Sequence, residues 1–546
     1  MPSTKPSASA AQKSQDFSDP QIRKPLFVYP ALPRFEITFY FLVILGCIIY
    51  AYIRIYQASR AYHWDPKKGG WGEYEDREWP FNLGKFRKDI TSEEWKNWSQ
   101  YVRQALIWFI GHFIILNASE KLFPAFCTLH SPLWSKLVLS YWVLAHCAIY
   151  GSLITGVTMA QGLIMYVLAW KIQSRVLIWL LAVILLYPSM QNPIIVPPGG
   201  NEYLAINLMS YKVLHYLSYV LDMLDDKTKT KAKYSFLEMM KFSFYLPYSI
   251  SLIIISKESR RQWTERGEQK IDWPCTLFFG FRILFWYCVA ELGTYFFYFE
   301  ALMNDPNELG RLRKDTLVNV GMAVGQFFHL KYVLIFGFPA FFARMDGMQP
   351  QKGPICITRL TLYSKIWRFF DRGLYAWFKE YIYIPLCRPT FSIWRKLSAI
   401  FVTYSFVLLW HGCSHDYVVW VVLSVCEIFI EQISKGVYSI NNVRQWRENN
   451  ISDRNFRRIL AWLQVITFAF GLYSNFYFLG SSEAGYVFVE RIFWQETVPV
   501  KWPFILLICL GYCQSHLAME ADRLQDECTE KEKIRASQVI KEKKAN

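Results

Sequence analysis

The residue best placed to do chemistry is His411, which follows the uncharged apolar run 399–410 and precedes Gly412. A glycine in this position commonly ends a helix, so we expect the imidazole at the end of a membrane-embedded helix. Histidine binds a proton near neutral pH, and a positioned general base accelerates a reaction by about 10²- to 10⁴-fold. A hydrogen-bonded core histidine is the alternative, although ionisable groups in membrane segments more often serve function.

The stretch from residue 344 to 388 mixes charged and aromatic side chains too densely to face lipid. Its charged residues include Arg344, Asp346, Lys352, Arg359, Lys365, Arg368, Asp371, Arg372, Lys379, Glu380 and Arg388. A long loop outside the membrane is one interpretation. The other is a segment partly buried in the protein and lining an aqueous cavity, the setting in which polar groups are tolerated at membrane depth.

The composition indicates a membrane protein. The 546 residues are 53% hydrophobic and 19% charged, whereas about a quarter of a soluble chain is charged. Apolar runs such as 35–56 are long enough to cross much of the ~30 Å hydrocarbon core of a bilayer. These features argue against a disordered chain and a soluble multi-domain enzyme. The 12 cysteines lie singly, which argues against a disulfide framework or a zinc module.

The apolar segments predict an all-α polytopic membrane protein, because a lipid-exposed backbone must satisfy its own hydrogen bonds. Helices are expected near residues 35–56, 102–118, 133–152, 153–170, 175–190, 203–224, 234–256, 274–300, 316–343, 395–412, 416–434, 458–480 and 501–519. We expect a polar N-terminal tail at 1–34, a transmembrane domain at 35–519 and a charged tail at 520–546. The stretch 57–100 is interpreted as an interfacial loop with short helices, because tryptophans crowd it.

Ionisable residues embedded in the apolar segments have two interpretations. They either line a cavity, or pair with one another and reach toward an interface. They are Glu238, Lys241, Arg282, Glu291, Lys331, Glu427 and Glu431. Five further histidines lack ligand-like spacing and are expected in the core, namely His112, His146, His215, His329 and His516. His415 follows His411 by four residues, but Gly412 and Ser414 predict a turn rather than a metal pair.

The net charge of +16 does not form a basic stripe outside the membrane segments, so nucleic acid is not an expected partner. The basic run 227–233 is better interpreted as a cytosolic loop beside membrane lipids. The chain ends Lys543-Lys544-Ala545-Asn546, which resembles a di-lysine retrieval signal. We therefore expect a cytosolic tail and a multi-pass protein of the endoplasmic reticulum membrane.

Three motifs resemble the signature of the membrane-bound O-acyltransferase superfamily. They are Asp371 within residues 367–374, Tyr381-Ile382-Tyr383-Ile384-Pro385, and Trp410-His411-Gly412. More narrowly, the chain is similar to the Hedgehog acyltransferase family. That similarity is carried by residues 32–34, 88–91, 94–95, 201–203, 338–340, 346–347, 354–356, 474–475 and 478–480.

The resemblance implies a fold of about 10–12 transmembrane helices, with re-entrant segments and a catalytic tunnel. Palmitoyl-CoA is the implied acyl donor, entering from the cytosol. The implied acceptor is the N-terminal cysteine of a secreted signalling protein, which becomes an amide. Matching the motifs position by position makes His411 the catalytic base, Asp371 the second catalytic residue, and Asn475 a polar group near the thioester. The expected substrate-binding residues are Trp367, Arg368 and Trp410.

The same resemblance aligns Cys356 with a cysteine that ligates haem in the family. A thiolate is a reasonable haem ligand, although a buried or lipidated free cysteine is the commoner fate. The acyl transfer itself requires no cofactor.

Two departures from the family pattern leave alternatives open. Residues 250–253 are Ile-Ser-Leu-Ile where relatives carry His-Asn-Gly-Pro, and Cys387-Arg388 replaces two glycines found in many members. The first change removes polar groups near the expected acceptor side, so a lipid or hydroxyl acceptor is a second hypothesis. A transporter or a non-catalytic scaffold of the same fold is a third. A transporter would more naturally show internal repeats, and none is evident in this sequence. An inactive member would be expected to lose the histidine, whereas His411 is present.

Overall fold

The chain folds almost entirely into α-helices. A computed structural model describes residues 27–62, 74–78, 85–123, 131–191, 201–226, 234–266, 271–359, 362–390, 392–495 and 502–545. Within these residues, the strands form one antiparallel hairpin, β1 (Tyr74–Glu78) with β2 (Lys85–Asp89), in which Tyr74 lies opposite Asp89. The expectation of short helices in this part of 57–100 is therefore wrong. Pairing satisfies the backbones of two segments that are each too short for a stable helix.

The helices that precede residue 270 match six of the 13 predicted apolar segments. They are α1 (Arg34–Ala61), α2 (Glu93–Phe113), α3 (Ser119–Leu122), α4 (Pro132–Tyr150), α5 (Ser152–Ile172), α6 (Arg175–Gln191), α7 (Glu202–Asp225), α8 (Phe236–Phe244) and α9 (Ser256–Glu265). A π-helical turn, Ile114–Ala118, joins α2 to α3.

The helices after residue 270 include those that carry the candidate site. They are α10 (Trp273–Phe296), α11 (Phe299–Met303), α12 (Pro306–Arg311), α13 (Lys314–Met345), α14 (Tyr363–Phe369), α15 (Arg372–Phe378), α16 (Ile384–Cys387), α17 (Ile393–His411), α18 (His415–Tyr438), α19 (Asn441–Asn450), α20 (Asp453–Leu479), α21 (Ser482–Val489) and α22 (Trp502–Ala545). π-helical turns at Lys379–Tyr383 and Glu490–Trp494 follow α15 and α21.

Short polar side chains fix where several helices begin. Asn201 accepts a hydrogen bond from the Leu204 N–H at 3.0 Å, and Asp272 accepts one from the Cys275 N–H at 3.1 Å. Such side chains satisfy backbone donors that have no partner within the helix. These caps explain why α7 and α10 begin within a residue of the positions that the apolar pattern predicts.

Seven helical stretches among the described residues are long and apolar enough to cross a membrane. They are Arg34–Ala61, Glu93–Leu122, Ser152–Ile172, Trp273–Phe296, Lys314–Met345, His415–Tyr438 and Asp453–Leu479. The prediction of a polytopic all-α membrane protein is thus confirmed. The total of about 10–12 spans stays a prediction, because it also depends on shorter helices such as Arg175–Tyr187.

The predicted helix 234–256 is wrong. The chain instead forms α8, a 3₁₀ turn at Leu246–Tyr248 and an irregular segment that leads to α9. Pro247 has no N–H for a helix, and Ser251 has a left-handed φ of 62° that interrupts any regular structure. Residues 252–255 are all buried, so their apolar character reflects a protein core rather than a lipid-facing helix.

The candidate site lies where α17, α18 and α20 meet the short helices α14 and α15. Helix α18 packs along α20, and α14 packs against both of them. Helix α13 completes this group, because Phe328 stacks on Phe370 at 5.2 Å and packs on Phe478 at 5.6 Å. The charged segment after α13 is therefore folded into the helix bundle, as the cavity-lining interpretation predicted, and is not a loop lying apart from it.

Candidate functional site

His411 is the last residue of α17, and the helix ends there because of the following glycine. Gly412 has a φ of 99°, and the next N–H, from Cys413, returns to the Leu408 carbonyl at 3.1 Å. This left-handed closure satisfies the terminal carbonyls and suits glycine best. The prediction that Gly412 ends the helix is confirmed.

Three aromatic rings hold the His411 imidazole. Its centroid lies 5.4 Å from Tyr417, 5.1 Å from Trp420 and 5.5 Å from Phe478. The side chain is partly exposed, and it makes no hydrogen bond to any residue that the structure describes. The ring is thus fixed in position while its nitrogens stay available to a substrate, which is the arrangement that a general base requires.

Asp371 begins α15 and is tightly constrained. Its Oδ1 accepts the Leu374 N–H at 2.8 Å, as a helix cap does. Two residues later, Gly373 lies so close to the Ile253 carbonyl that a Cβ would overlap it, well inside 3.0 Å. Burial raises the pKa of the Asp371 carboxyl to about 6. The structure therefore places Asp371 directly against the segment 250–253 in which the chain departs from the family pattern.

A continuous set of rings joins the surroundings of Asp371 to His411. Phe370 stacks on Phe328, Phe328 packs on Phe478, and Phe478 contacts the imidazole. On another side, the ring of Tyr211 from α7 packs on Trp410 at 5.3 Å and lies close enough to Asp371 to interact with its charge. The two predicted catalytic residues thus share one aromatic-walled region.

Asn475 joins the same region from α20. It is partly buried and lies three residues before Phe478, so the two side chains share a helix face. Asn475 thus lies about one helical turn from a residue that contacts the His411 imidazole.

The structure separates the three expected substrate-binding residues. Trp410 is buried against Tyr211, and Trp367 packs on Trp420 at 5.3 Å and on Tyr404 at 4.9 Å. Arg368 is exposed and makes no hydrogen bond to the described site residues. Trp410 directly precedes His411, and Trp367 packs on Trp420, which contacts the imidazole, whereas the Arg368 side chain is exposed.

Cys356 lies in the extended segment between α13 and α14. Its Sγ is half-buried and 2.9 Å from Thr358 Oγ1. A thiol in this position would be able to serve as a single thiolate ligand to haem iron. No cluster of three or more metal-ligating side chains occurs among the described residues, so a non-haem metal centre has no support there.

Sequence reasoning missed a polar cluster around Glu94. Tyr332 donates a hydrogen bond to Glu94 Oε1 at 2.8 Å, and Lys331 pairs with Glu94 Oε2 at 3.1 Å and with Glu300 at 3.6 Å. The Tyr332 ring packs on Phe370, next to Asp371. Glu94 was noted only as part of a family motif, and its partners lie more than 200 residues away along the chain.

A cavity of about 320 Å³ lies beside the Glu94 cluster. Its lining includes Ser92, Trp95, Arg103, Glu300 and Phe327. This cavity has aromatic and charged walls, and it leaves space for a polar group close to the cluster.

Comparison with known proteins finds relatives over most of the chain. A model of the family described as MBOAT, membrane-bound O-acyltransferase family, matches residues 130–474. Protein-cysteine N-palmitoyltransferase HHAT of Mus musculus is 27% identical over 509 residues, which cover 89% of this chain and 98% of that protein. Protein-cysteine N-palmitoyltransferase Rasp of Drosophila melanogaster is 26% identical over 465 residues, which cover 83% and 89%.

A third relative, the Protein-cysteine N-palmitoyltransferase HHAT-like protein of Mus musculus, is 24% identical over 523 residues, which cover 90% of this chain and 96% of that protein. The family match spans more than half of the chain, includes Asp371 and His411, and ends one residue before Asn475. It favours an enzyme over the transporter hypothesis. The chain belongs to the membrane-bound O-acyltransferase family, and it is a multi-pass membrane acyltransferase.

Proposed function

We propose that this acyltransferase moves palmitate from palmitoyl-CoA to the α-amine of an N-terminal cysteine on a secreted, Hedgehog-like signalling protein. The observation that carries the proposal is the His411 imidazole, which three rings hold in place without occupying its nitrogens. The names of two relatives, the protein-cysteine N-palmitoyltransferases HHAT and Rasp, support the palmitoyl group and the cysteine acceptor.

An N-terminal cysteine suits a histidine base. An amide forms only from a neutral amine, and an α-amine with a pKa of ~7.7–8.0 loses its proton far more easily than a lysine with a pKa of ~10.4. The cysteine thiol is able to accept the acyl group first and pass it to its own amine, a short intramolecular transfer favoured by proximity.

The predicted site residues other than Arg368 have roles in this reaction. His411 removes the proton from the attacking group. The Asn475 amide binds the thioester oxygen as negative charge develops on it. Asp371 positions the wall formed by Phe370 and the segment 250–253. Trp367 and Trp410 close the region against water, and a role for Arg368 in substrate binding has no support in its exposed position.

A second candidate function is acylation of a lipid or another hydroxyl acceptor. It is favoured by the segment that lies beside Asp371. Leu252 and Ile253 line a very small cavity beside Phe336, Phe370 and Asp371, whose other walls include the polar Ser251, Gln351, Lys352 and Arg372. The apolar side chains at positions 252 and 253 suit a hydrocarbon acceptor better than the polar motif of relatives does.

The proposal also includes a location, the endoplasmic reticulum membrane, and a bound cofactor, haem. The di-lysine ending supports retention in the endoplasmic reticulum membrane, where secreted proteins are made. Cys356 would supply the thiolate of a bound haem, and bound haem would lend that segment stability through the iron–sulfur bond. No step of the acyl transfer depends on it.

The decisive experiment offers purified protein labelled palmitoyl-CoA and three acceptors. These are a peptide that begins with cysteine, the same peptide with an acetylated α-amine, and a lipid alcohol. We expect stable label on the first peptide and none on the second. Label on the alcohol with none on either peptide would replace the proposal by the second candidate.

A further inference from the structure

A stripe of polar side chains runs along α18, the helix that follows His411. Ser424, Glu427, Glu431 and Lys435 are spaced by three or four residues and therefore share one face. Over these residues α18 rises by about 16 Å. The first three are buried, whereas Lys435 reaches the surface. Buried ionisable groups inside a membrane span are costly, and they usually serve a function.

Glu427 differs from the other embedded glutamates in having no partner. It is 0% exposed, and neither carboxyl oxygen forms a hydrogen bond to any described residue. By contrast, Glu431 accepts the Ser364 N–H at 2.9 Å and pairs with Lys435 at 3.3 Å. An unpaired carboxylate is disfavoured in such surroundings, so the protonated acid is the stable form.

Among the described residues, hydroxyl groups lie around Glu427 and no cation pairs with its carboxyl group. Tyr363 of α14 hydrogen-bonds Ser424 at 2.9 Å and Ser474 of α20 at 3.3 Å. The charged and titratable groups that face Glu427 are Tyr363 from α14, Tyr404 from α17 and Glu431 from α18. Helix α20 contributes Gly471, where an added Cβ would lie 3.4 Å from Glu427 Oε2.

Ser424 and Ser474, two of the polar residues around Glu427, also lie close to the surroundings of His411. Ser424 Oγ donates a hydrogen bond to the Trp420 carbonyl at 2.7 Å, and the Trp420 ring lies 5.1 Å from the imidazole. Ser474 directly precedes Asn475. The stripe thus extends from the site to the surface at Lys435, with Glu427 midway along it.

We propose that Glu427 carries protons between the acyl-transfer site and the surface at Lys435. The inference rests on the proposed amine acceptor. An α-ammonium and a thioester give an amide, a free thiol and one proton. The C–N bond forms as the C–S bond breaks, and the sulfur leaves with the bonding pair and takes one of the amine protons. The other proton must be removed, whereas a hydroxyl acceptor releases no net proton.

The test compares Glu427→Gln with wild type across pH, using the cysteine peptide and palmitoyl-CoA. Glutamine keeps the shape but cannot carry a proton. We expect kcat to fall at least tenfold at pH 6, where the α-amine enters as an ammonium. At pH 9 the amine enters neutral, and kcat should differ less than twofold. Glu238→Gln, the same change at a partly exposed glutamate that pairs with Lys241, should leave both rates unchanged.

Two measurements separate this role from a structural one. Thermal stability and palmitoyl-CoA affinity should be equal in wild type and Glu427→Gln. A loss of the same size at every pH, or no loss at pH 6, would overturn the proposal. Tyr363→Phe, which keeps the ring and removes the hydroxyl, should reproduce the pH-dependent loss.

Infrared difference spectroscopy provides a readout that needs no acceptor. Wild-type protein at pH 7 should show the carbonyl band of a protonated, water-inaccessible carboxylic acid, and Glu427→Gln should lack it. Absence of this band from wild type would refute the proton-carrying role. Failure of wild type to acylate the peptide would instead contradict the proposed acceptor, so the two failures are distinguishable.

Discussion

Gly373 provides a sharp test of how Asp371 is positioned. In Gly373→Ala, the new Cβ would overlap the Ile253 carbonyl, which belongs to backbone and cannot rotate away. The start of α15 must then move, together with the Asp371 side chain that caps it. A displacement of about 1 Å in a catalytic group costs on the order of 10²-fold in rate. Overpacking of this kind also destabilises the fold by about 1–3 kcal/mol.

The assay measures kcat, KM for the acceptor and palmitoyl-CoA affinity in detergent. We expect kcat to fall about 10²-fold, equivalent to about 2.7 kcal/mol, with donor affinity nearly unchanged. Gly436→Ala on α18 is the matched control, because a Cβ there meets nothing within 4 Å. It should keep full activity and be as stable as wild type or slightly more so. A Gly373→Ala protein with activity within twofold of wild type would refute the role assigned to the Asp371 position.

Three further predictions concern the base, the cysteine and the topology. His411→Ala should lower kcat by about 10²- to 10⁴-fold while palmitoyl-CoA binding persists, and near-normal turnover would contradict the base assignment. Purified wild type should show a Soret band that Cys356→Ala lacks, and a wild type without the band would end the haem proposal. Protease-protection mapping should place the C-terminal tail and the basic run 227–233, which lies outside the described residues, in the cytosol, and a lumenal tail would exclude a di-lysine retrieval signal.

Local sequence patterns predicted most helices, because apolar runs and helix-ending residues act on their neighbours along the chain. The apolar runs of α4 and α5 begin and end within two residues of the expected bounds, and Gly412 ends α17 as its type suggests. The segment 250–255 was misassigned for a physical reason. Apolar composition does not distinguish a lipid-facing helix from an irregular chain buried in a protein core, and here Pro247 and Ser251 decided the outcome.

Only some residues of the candidate site could be predicted from the sequence. His411 could be found from its own surroundings, and family motifs supplied Asp371 and Asn475. The cluster of Glu94 with Lys331 and Tyr332 could not be found, because it forms only when α2 and α13 pack together. Lys331 pairs with Glu94 and Glu300, and pairing was one of the two interpretations that the sequence allowed for this residue. The absence of a partner for Glu427 likewise follows from the packing of α14, α17 and α20 around it.

The most direct test of the central claim is where the palmitate becomes attached. Purified protein is incubated with palmitoyl-CoA and a peptide that begins with cysteine, and the product is fragmented by tandem mass spectrometry after hydroxylamine treatment, which removes thioesters. We predict a hydroxylamine-resistant palmitoyl group on the α-nitrogen, formed by wild type and lost in His411→Ala. A product found only on the thiol, or the same amide yield from His411→Ala, would contradict N-acylation by this site.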